Sequence, residues 1–76
     1  MKYQHVTTNP TICGGVPIFK GTRIPIYIIL DLLSAGEDIN NILENYPQLK
    51  KEHILESIKY VSALSEYREE LIEISN

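Results

Sequence analysis

The clearest periodicity in the chain lies in its middle. Four apolar residues follow the i, i+3, i+4, i+7 spacing of one helix face: Ile39, Ile42, Leu43 and Tyr46. Asp38 stands just before them and is a preferred N-cap residue. Pro47 follows them, and the residue before a proline avoids helical geometry. The pattern predicts a short amphipathic helix between Asp38 and Pro47.

Residues 26–35 form a longer apolar run in which Asp31 is the only charged residue. Pro25 suits a first helical position, and Gly36 suits the position just past a helix end. We therefore predict a helix that is buried on more than one side, because it is apolar nearly all round. One of those sides is expected to meet the hairpin or another subunit. The run is also rich in β-branched residues, so a buried strand is the alternative interpretation.

A third helix is predicted to begin near Lys51, after the tight connection at residues 48–50, although no preferred N-cap residue precedes it. Its early core positions are expected to be Ile54, Ile58 and Val61. Together these segments predict a mainly α fold with three helices. A short N-terminal β-hairpin is expected to precede them.

The third helix is expected to continue past the domain. Five apolar residues recur at alternating spacings of four and three: Tyr60, Leu64, Tyr67, Leu71 and Ile74. This is the seam of a helix that packs on another helix, here a protein partner or a second copy. The same tail carries four acids, Glu66, Glu69, Glu70 and Glu73, opposed only by Arg68. We divide the chain into a domain at 1–65 and an acidic amphipathic extension at 66–76; a frayed tail is the alternative.

The N-terminal quarter has the composition of extended structure. Residues 3–8 are rich in β-formers, and Asn9-Pro10 marks a turn. Residues 16–19 and 22–24 flank Lys20-Gly21, and Gly21 can supply the positive φ of a tight turn. This predicts a hairpin between those two segments. Pro17 cannot donate to a ladder, so its strand should lie at an edge.

Composition limits what holds so small a protein together. A chain of 76 residues forms one domain with a small core, so an additional stabilising device is expected. Cys13 is the only cysteine, which excludes an internal disulfide, and the two histidines show no metal-ligand spacing with it. Oligomerisation remains, and we expect a homodimer. The chain shows no targeting signal and no apolar run of membrane-spanning length, so a cytoplasmic location is expected.

No set of residues predicts catalysis or a cofactor. Nothing places a base beside the Cys13 thiol, and the glycine pairs lack the lysine and hydroxyl residue of a phosphate loop. His53 is interpreted as a solvent-facing residue in the first turn of the third helix. The sequence therefore predicts a binding protein, with no catalytic residues, no metal ligands and no cofactor.

A short helix, a tight turn and a longer helix form the helix-turn-helix layout, in which the start of the second helix enters the major groove. That start carries the only local basic cluster, so our candidate DNA-binding residues are Gln48, Lys50, Lys51 and His53. The net charge of −3, from seven Lys and Arg against ten Asp and Glu, disfavours non-specific nucleic-acid binding but permits this local patch.

Two stretches resemble a bacterial and archaeal family, the domain of unknown function DUF433. Residues 14–24, Gly-Gly-Val-Pro-Ile-Phe-Lys-Gly-Thr-Arg-Ile, resemble its GGxPxIxGTRI signature. Residues 32–36 and 42–49 resemble a second family stretch that ends in Tyr-Pro-x-Leu. The resemblance covers roughly residues 1–63. It departs at Lys50, where the family usually has a threonine as cap of the third helix.

The resemblance implies a homeodomain-like three-helix protein similar to VapB-type antitoxins. Such a protein would neutralise a PIN-like ribonuclease toxin and repress its own operon by binding operator DNA. The candidate partner-binding residues are those of the tail: Tyr60, Leu64, Tyr67, Leu71, Ile74, Glu66 and Glu70. The alternative is an interaction or scaffold domain that never binds DNA. Within the signature, Gly21 is expected to form the turn, and Thr22 and Arg23 to tie the hairpin to the helices or, alternatively, to bind a ligand.

Overall fold

The computed structural model describes the backbone of residues 3–75 and the side chains of residues 3–64. In chain order it contains strand β1 (Val6–Thr7), a 3-10 turn (Cys13–Gly15), strand β2 (Ile18–Phe19) and three helices, α1 (Ile26–Ser34), α2 (Ile39–Asn45) and α3 (Lys51–Ser75). The predicted mainly α fold, with three helices after a short N-terminal β-hairpin, is confirmed.

The pairing within the hairpin differs from the prediction. β2 pairs with β1 in an antiparallel register, Val6 opposite Phe19 and Thr7 opposite Ile18. The predicted second arm, residues 22–24, forms no strand; only a single bridge links Ile18 to Pro25. The Phe19 N–H donates to the Ile24 carbonyl and the Ile26 N–H to the Pro17 carbonyl, both at 3.0 Å, so the two predicted arms still meet at this one bridge. The opposite edge of β2 pairs with β1. The tight turn itself was predicted correctly, since Gly21 has φ +83°.

The helix α1 begins and ends at the residues that the sequence marked. Pro25 was predicted to be the first helical residue and is instead the N-cap residue, so α1 begins one position later than predicted. Beyond its last residue Gly36 adopts φ +90°, and its N–H donates to the Leu33 carbonyl, while the Glu37 N–H donates to Leu32. This is a Schellman motif, which satisfies carbonyls at the helix end and excludes the strand interpretation.

One side of α1 is covered within the chain, not several. Ile26 and Ile29 are buried in the core, whereas Tyr27 and Ile28 are 51% and 37% exposed. Within the single chain the side of α1 at Tyr27 and Ile28 meets solvent, and its burial against another subunit stays a prediction.

The helix α2 follows its predicted bounds. Asp38 occupies the N-cap position with extended backbone, but its side chain forms no capping hydrogen bond. Ile42 is fully buried, and the other three residues of the predicted stripe pack around the core. Pro47 follows directly after the C-cap residue Tyr46. The apolar stripe, rather than a side-chain cap, fixes this helix.

The core-facing side of α3 is rotated from the expected one. Ile54 is fully buried and Val61 packs against the core, as predicted, but Ile58 is 39% exposed. Ser57 lies buried instead, and its hydroxyl donates to the Ile54 carbonyl at 2.7 Å. A hydroxyl satisfied within its own helix is tolerated in a core, so Ser57 can take an inner position.

A single cluster forms the core. Its buried apolar members are Val6, Phe19, Ile26, Ile29, Ile42, Leu49 and Ile54. Phe19 is fully buried, so the hairpin forms part of the core. Along residues 3–75, every helix is too short or too polar to cross a lipid bilayer.

Candidate functional site

A tight turn connects α2 to α3. The Leu49 N–H donates to the Tyr46 carbonyl at 2.9 Å, which closes a β-turn with Pro47 at its second position. Leu49 is 4% exposed and anchors the turn in the core. With Leu49 held inward, its neighbours Gln48 and Lys50 are exposed at the surface.

Lys51, the first residue of α3, is also exposed. Three of the four candidate DNA-binding residues, Gln48, Lys50 and Lys51, thus lie together on the surface at the start of α3. Their amide and ammonium groups can donate to phosphate or base acceptors. The fourth candidate, His53, has a different environment.

His53 caps the helix that it belongs to. Lys50 is the residue just before α3, and its backbone N–H donates to His53 Nδ1 at 3.0 Å. The Glu or Gln of a capping box makes the same bond from the same third helical position. The ring lies 4.5 Å from the His5 ring and 6.0 Å from Phe19, centroid to centroid. The interpretation of His53 as solvent-facing is wrong, because its half-buried ring lies against the rings of His5 and Phe19.

The protonation of His53 is coupled to this environment. Partial burial, followed by the neighbouring His5 ring, lowers the pKa of the His53 imidazole. Because Nδ1 accepts the Lys50 N–H, we assign the proton of the neutral ring to Nε2. Protonation of Nδ1 would break the cap and place a positive charge at the helix N-terminus, where the helix dipole disfavours it.

Glu56 fastens the N-terminal segment to α3. Its carboxylate accepts the His5 backbone N–H and lies 3.3 Å from His5 Nδ1. Burial works to raise the pKa of the Glu56 carboxyl, but hydrogen bonds from the His5 backbone and ring and from the Gln4 backbone outweigh it, so the pKa is lowered. The Lys20 N–H in turn donates to the His5 carbonyl at 2.8 Å. This segment, the hairpin and α3 therefore meet at His5.

We expect acid to loosen this junction. His53 has a folded pKa below its unfolded value, so the unfolded chain binds more protons and stability falls as the pH drops below about 6.5. The lowered pKa of Glu56 adds a further loss as the pH falls below about 4.3. Thermal unfolding at about pH 7.5 and about pH 5.5 should show a lower Tm at the acidic value.

The matched variant is H53Q, because glutamine at this position can accept the same Lys50 N–H and does not titrate. It should keep the neutral-pH stability and lose most of the change between the two pH values. An H53Q protein with the full pH dependence of the wild type would show that His53 protonation is not coupled to folding.

The signature residues form a compact loop. Thr22 Oγ1 donates to the Phe19 carbonyl at 2.8 Å and accepts the Ile24 N–H at 3.0 Å. Cys13 Sγ donates to the Arg23 carbonyl at 3.5 Å, which joins the residue just before the signature to the end of the signature. Thr22 therefore fixes its own turn and does not tie the hairpin to the helices. The Arg23 guanidinium is in no hydrogen bond or ion pair with any side chain in the described part.

The signature loop borders an open groove of about 440 Å³. The lining residues come from both ends of the hairpin: Thr7, Thr8, Asn9, Ile12, Ile18, Gly21, Thr22 and Arg23. Two of them, Ile12 and Ile18, are apolar. Sequence reasoning missed the groove, since nothing in the sequence places residues 7–12 beside residues 21–23.

The predicted partner surface is only partly described. Tyr60 does not lie free on a seam; its ring contacts Tyr3 edge to face, with 5.1 Å between centroids. Leu64 is 54% exposed and is available to a partner. The side chains of the remaining candidates, Tyr67, Leu71, Ile74, Glu66 and Glu70, lie outside the described residues. The backbone of α3 continues through this segment to Ser75.

Among the residues that the structure describes, no three His, Cys, Asp or Glu side chains converge as metal ligands. His5, His53 and Glu56 are committed to contacts within the protein.

The fold defines a small, mainly helical domain of three helices preceded by a short β-hairpin. The model of the family described as "Protein of unknown function (DUF433)" matches residues 6–61, and the chain belongs to this family. A crystal structure of a DUF433 member from Anabaena variabilis superposes with a TM-score of 0.76 at 26% identity, covering 91% of this chain and 68% of that one.

A second relative is much longer than this chain. The uncharacterized protein y4eO of Sinorhizobium fredii is 38% identical over 58 residues. That match covers 76% of this chain and 26% of the relative. Family membership thus rests on sequence and on fold.

Proposed function

We propose that this chain is the antitoxin of a type II toxin-antitoxin pair, binding a PIN-like ribonuclease toxin and binding operator DNA as an autorepressor. The observation that carries the DNA-binding part is the surface turn with Gln48, Lys50 and Lys51 at the start of α3. The toxin-binding part rests on the resemblance to VapB-type antitoxins and on the tail of α3.

The turn is preorganised for contact with DNA. Buried Leu49 and the β-turn at Pro47 fix the backbone from one side, and the His53 cap fixes it from the other. A recognition helix whose first turn is already ordered loses little entropy on binding. The lysines then neutralise phosphates, and Gln48 is suited to the edge of an adenine.

The overall charge of −3 requires more than one such turn for useful affinity. A homodimer would present two turns to the two halves of an operator. Exposed Tyr27 and Ile28 give α1 an outer apolar face that a second copy can cover. We therefore propose a homodimer as the DNA-binding form.

Replacing both lysines tests the interface. The double variant K50E/K51E should bind the DNA upstream of its own operon more weakly, and the slope of log affinity against log salt should flatten by about 0.9 per lost phosphate contact. The measurement is fluorescence anisotropy at several salt concentrations.

The control is K20E/K59E, which changes the charge equally at two exposed lysines outside the turn. It should retain most of the affinity. Equal losses in the two double variants would mean that net charge, not the turn, governs binding. Absence of binding by the wild type would remove the repressor function altogether.

A direct test of the toxin part is co-expression with the adjacent gene. We expect the chain to co-purify with a small nuclease encoded beside it and to abolish the ribonuclease activity of that protein. Purification of the two proteins apart, with the nuclease fully active in the presence of this chain, would refute the antitoxin function.

The second candidate function is a protein-interaction domain that never binds DNA. It is favoured by exposed apolar residues on the outer side of α3, where Leu55 and Ile58 are 44% and 39% exposed. They stand one helical turn apart on the same surface. An apolar outer face on α3 suits a protein partner better than a phosphate backbone. The DNA-binding measurement described above distinguishes the two functions.

A further inference from the structure

The lining of the groove beside the signature loop carries a single charge. Arg23 is the only charged residue among the lining residues, although the chain is acidic overall. The guanidinium is exposed and, within residues 3–64, bonds to no other side chain. A planar guanidinium with free donors is suited to bidentate binding of a carboxylate or a phosphate.

The groove also offers unpaired backbone groups. The N–H groups of Gly21 and Arg23 donate to no acceptor in the described part of the chain, and the same holds for the N–H of Thr8. The Thr8 carbonyl accepts no hydrogen bond from any described residue. An ideal Cβ built on Gly21 would meet nothing within 4 Å, so the backbone there is open to a ligand.

We propose that this groove binds an extended segment of a partner protein that carries an acidic residue, with Arg23 pairing to the carboxylate. The free N–H groups and the Thr8 carbonyl complement the main chain of such a segment, as in recognition along a strand edge. Ile12 provides an apolar contact for a neighbouring side chain. The site is separate from the helix-turn-helix and does not depend on the antitoxin function.

The chemistry of the groove favours a peptide over nucleic acid. A phosphate backbone offers only acceptors and would leave the Thr8 carbonyl without a donor. One guanidinium neutralises one phosphate, whereas the affinity of nucleic-acid binders rests on several such contacts. A single carboxylate on an otherwise neutral segment matches a groove with a single positive charge.

The test is an NMR titration of the isotope-labelled full chain with the blocked peptide Ac-Val-Glu-Val-NH2. We expect saturable shifts of the Thr8, Gly21 and Arg23 amide signals. The shifts should be at least several-fold weaker with Ac-Val-Gln-Val-NH2, which lacks the charge, and with the variant R23Q. The control K20Q removes a neighbouring exposed positive charge that does not line the groove, and it should respond as the wild type does.

Three results would overturn the proposal. The first is no saturable shift with the acidic peptide at any concentration reached. The second is equal binding by R23Q while its spectrum remains that of a folded protein. The third is a stronger response of the same three amides to inorganic phosphate or to a short single-stranded oligonucleotide, which would make the groove a phosphate site.

Discussion

The variant I54A should lose about 2–5 kcal/mol of unfolding free energy, because truncating a fully buried isoleucine removes its packing and leaves a cavity. Ile54 joins α3 to the core cluster that also contains Phe19 and Ile42. A domain of this size has little stability to spare. We therefore expect I54A to be largely unfolded at room temperature, as measured by circular dichroism and urea titration.

The matched control is I58A, the same substitution one turn further along the same helix. Ile58 is 39% exposed, so its truncation should cost under about 1 kcal/mol. The two substitutions change helix propensity by nearly the same amount. The difference between their losses of unfolding free energy therefore measures the effect of burial. A loss in I58A as large as in I54A would show that the outer face of α3 is covered in solution, as the interaction-domain function requires.

If the proposed antitoxin function holds, truncation after Ser65 should abolish neutralisation of the toxin while leaving the domain folded. Among the side chains that the structure describes, the last on α3 to pack on the core are Tyr60 and Val61, and Leu64 is exposed. The removed segment combines the apolar residues Tyr67, Leu71 and Ile74 with four acids. An apolar seam supplies most of the affinity of a docking helix, and acids steer it towards a basic, phosphate-binding surface.

Three measurements determine the effect of this truncation: the ribonuclease activity of the toxin, the Tm of the truncated chain, and its mass by light scattering. Continued neutralisation would remove the tail from the inhibitory surface. A chain that becomes monomeric or unfolds would assign the seam to a homodimer instead. The full-length variant E66Q/E70Q removes two charges and keeps the apolar seam. Because charges mainly steer association, this variant should mainly bind the toxin more slowly.

The helices could be predicted because local chemistry marks their ends. Pro25 and Gly36 bracket α1, and Asp38 and Pro47 bracket α2, so side-chain preferences alone place four helix ends within about a residue. The exposed positions Gln48, Lys50 and Lys51 followed from the turn that these signals define.

The rest depended on contacts between distant parts of the chain. Strand β2 has apolar neighbours on both sides in sequence, and only tertiary packing selects β1 as its partner. The junction of His5 with His53 and Glu56 joins residues some fifty positions apart. A local signal existed only for the cap formed by His53. A histidine at the third position of a helix that lacks a preferred N-cap residue can accept the free backbone N–H of the residue before the helix. The burial of Ser57 in place of Ile58 had no such signal, because hydropathy ranks the two in the opposite order.

The contact between Tyr3 and Tyr60 has a consequence for gene architecture. Tyr3 lies just before the segment that defines the family, residues 6–61, and Tyr60 lies next to its last residue, so the two ends of that segment are close together. A unit with adjoining entry and exit points can be spliced into a longer polypeptide without displacing what surrounds it. The region of the Sinorhizobium fredii relative that matches this chain is 26% of that protein, so most of that longer polypeptide lies outside the matched region.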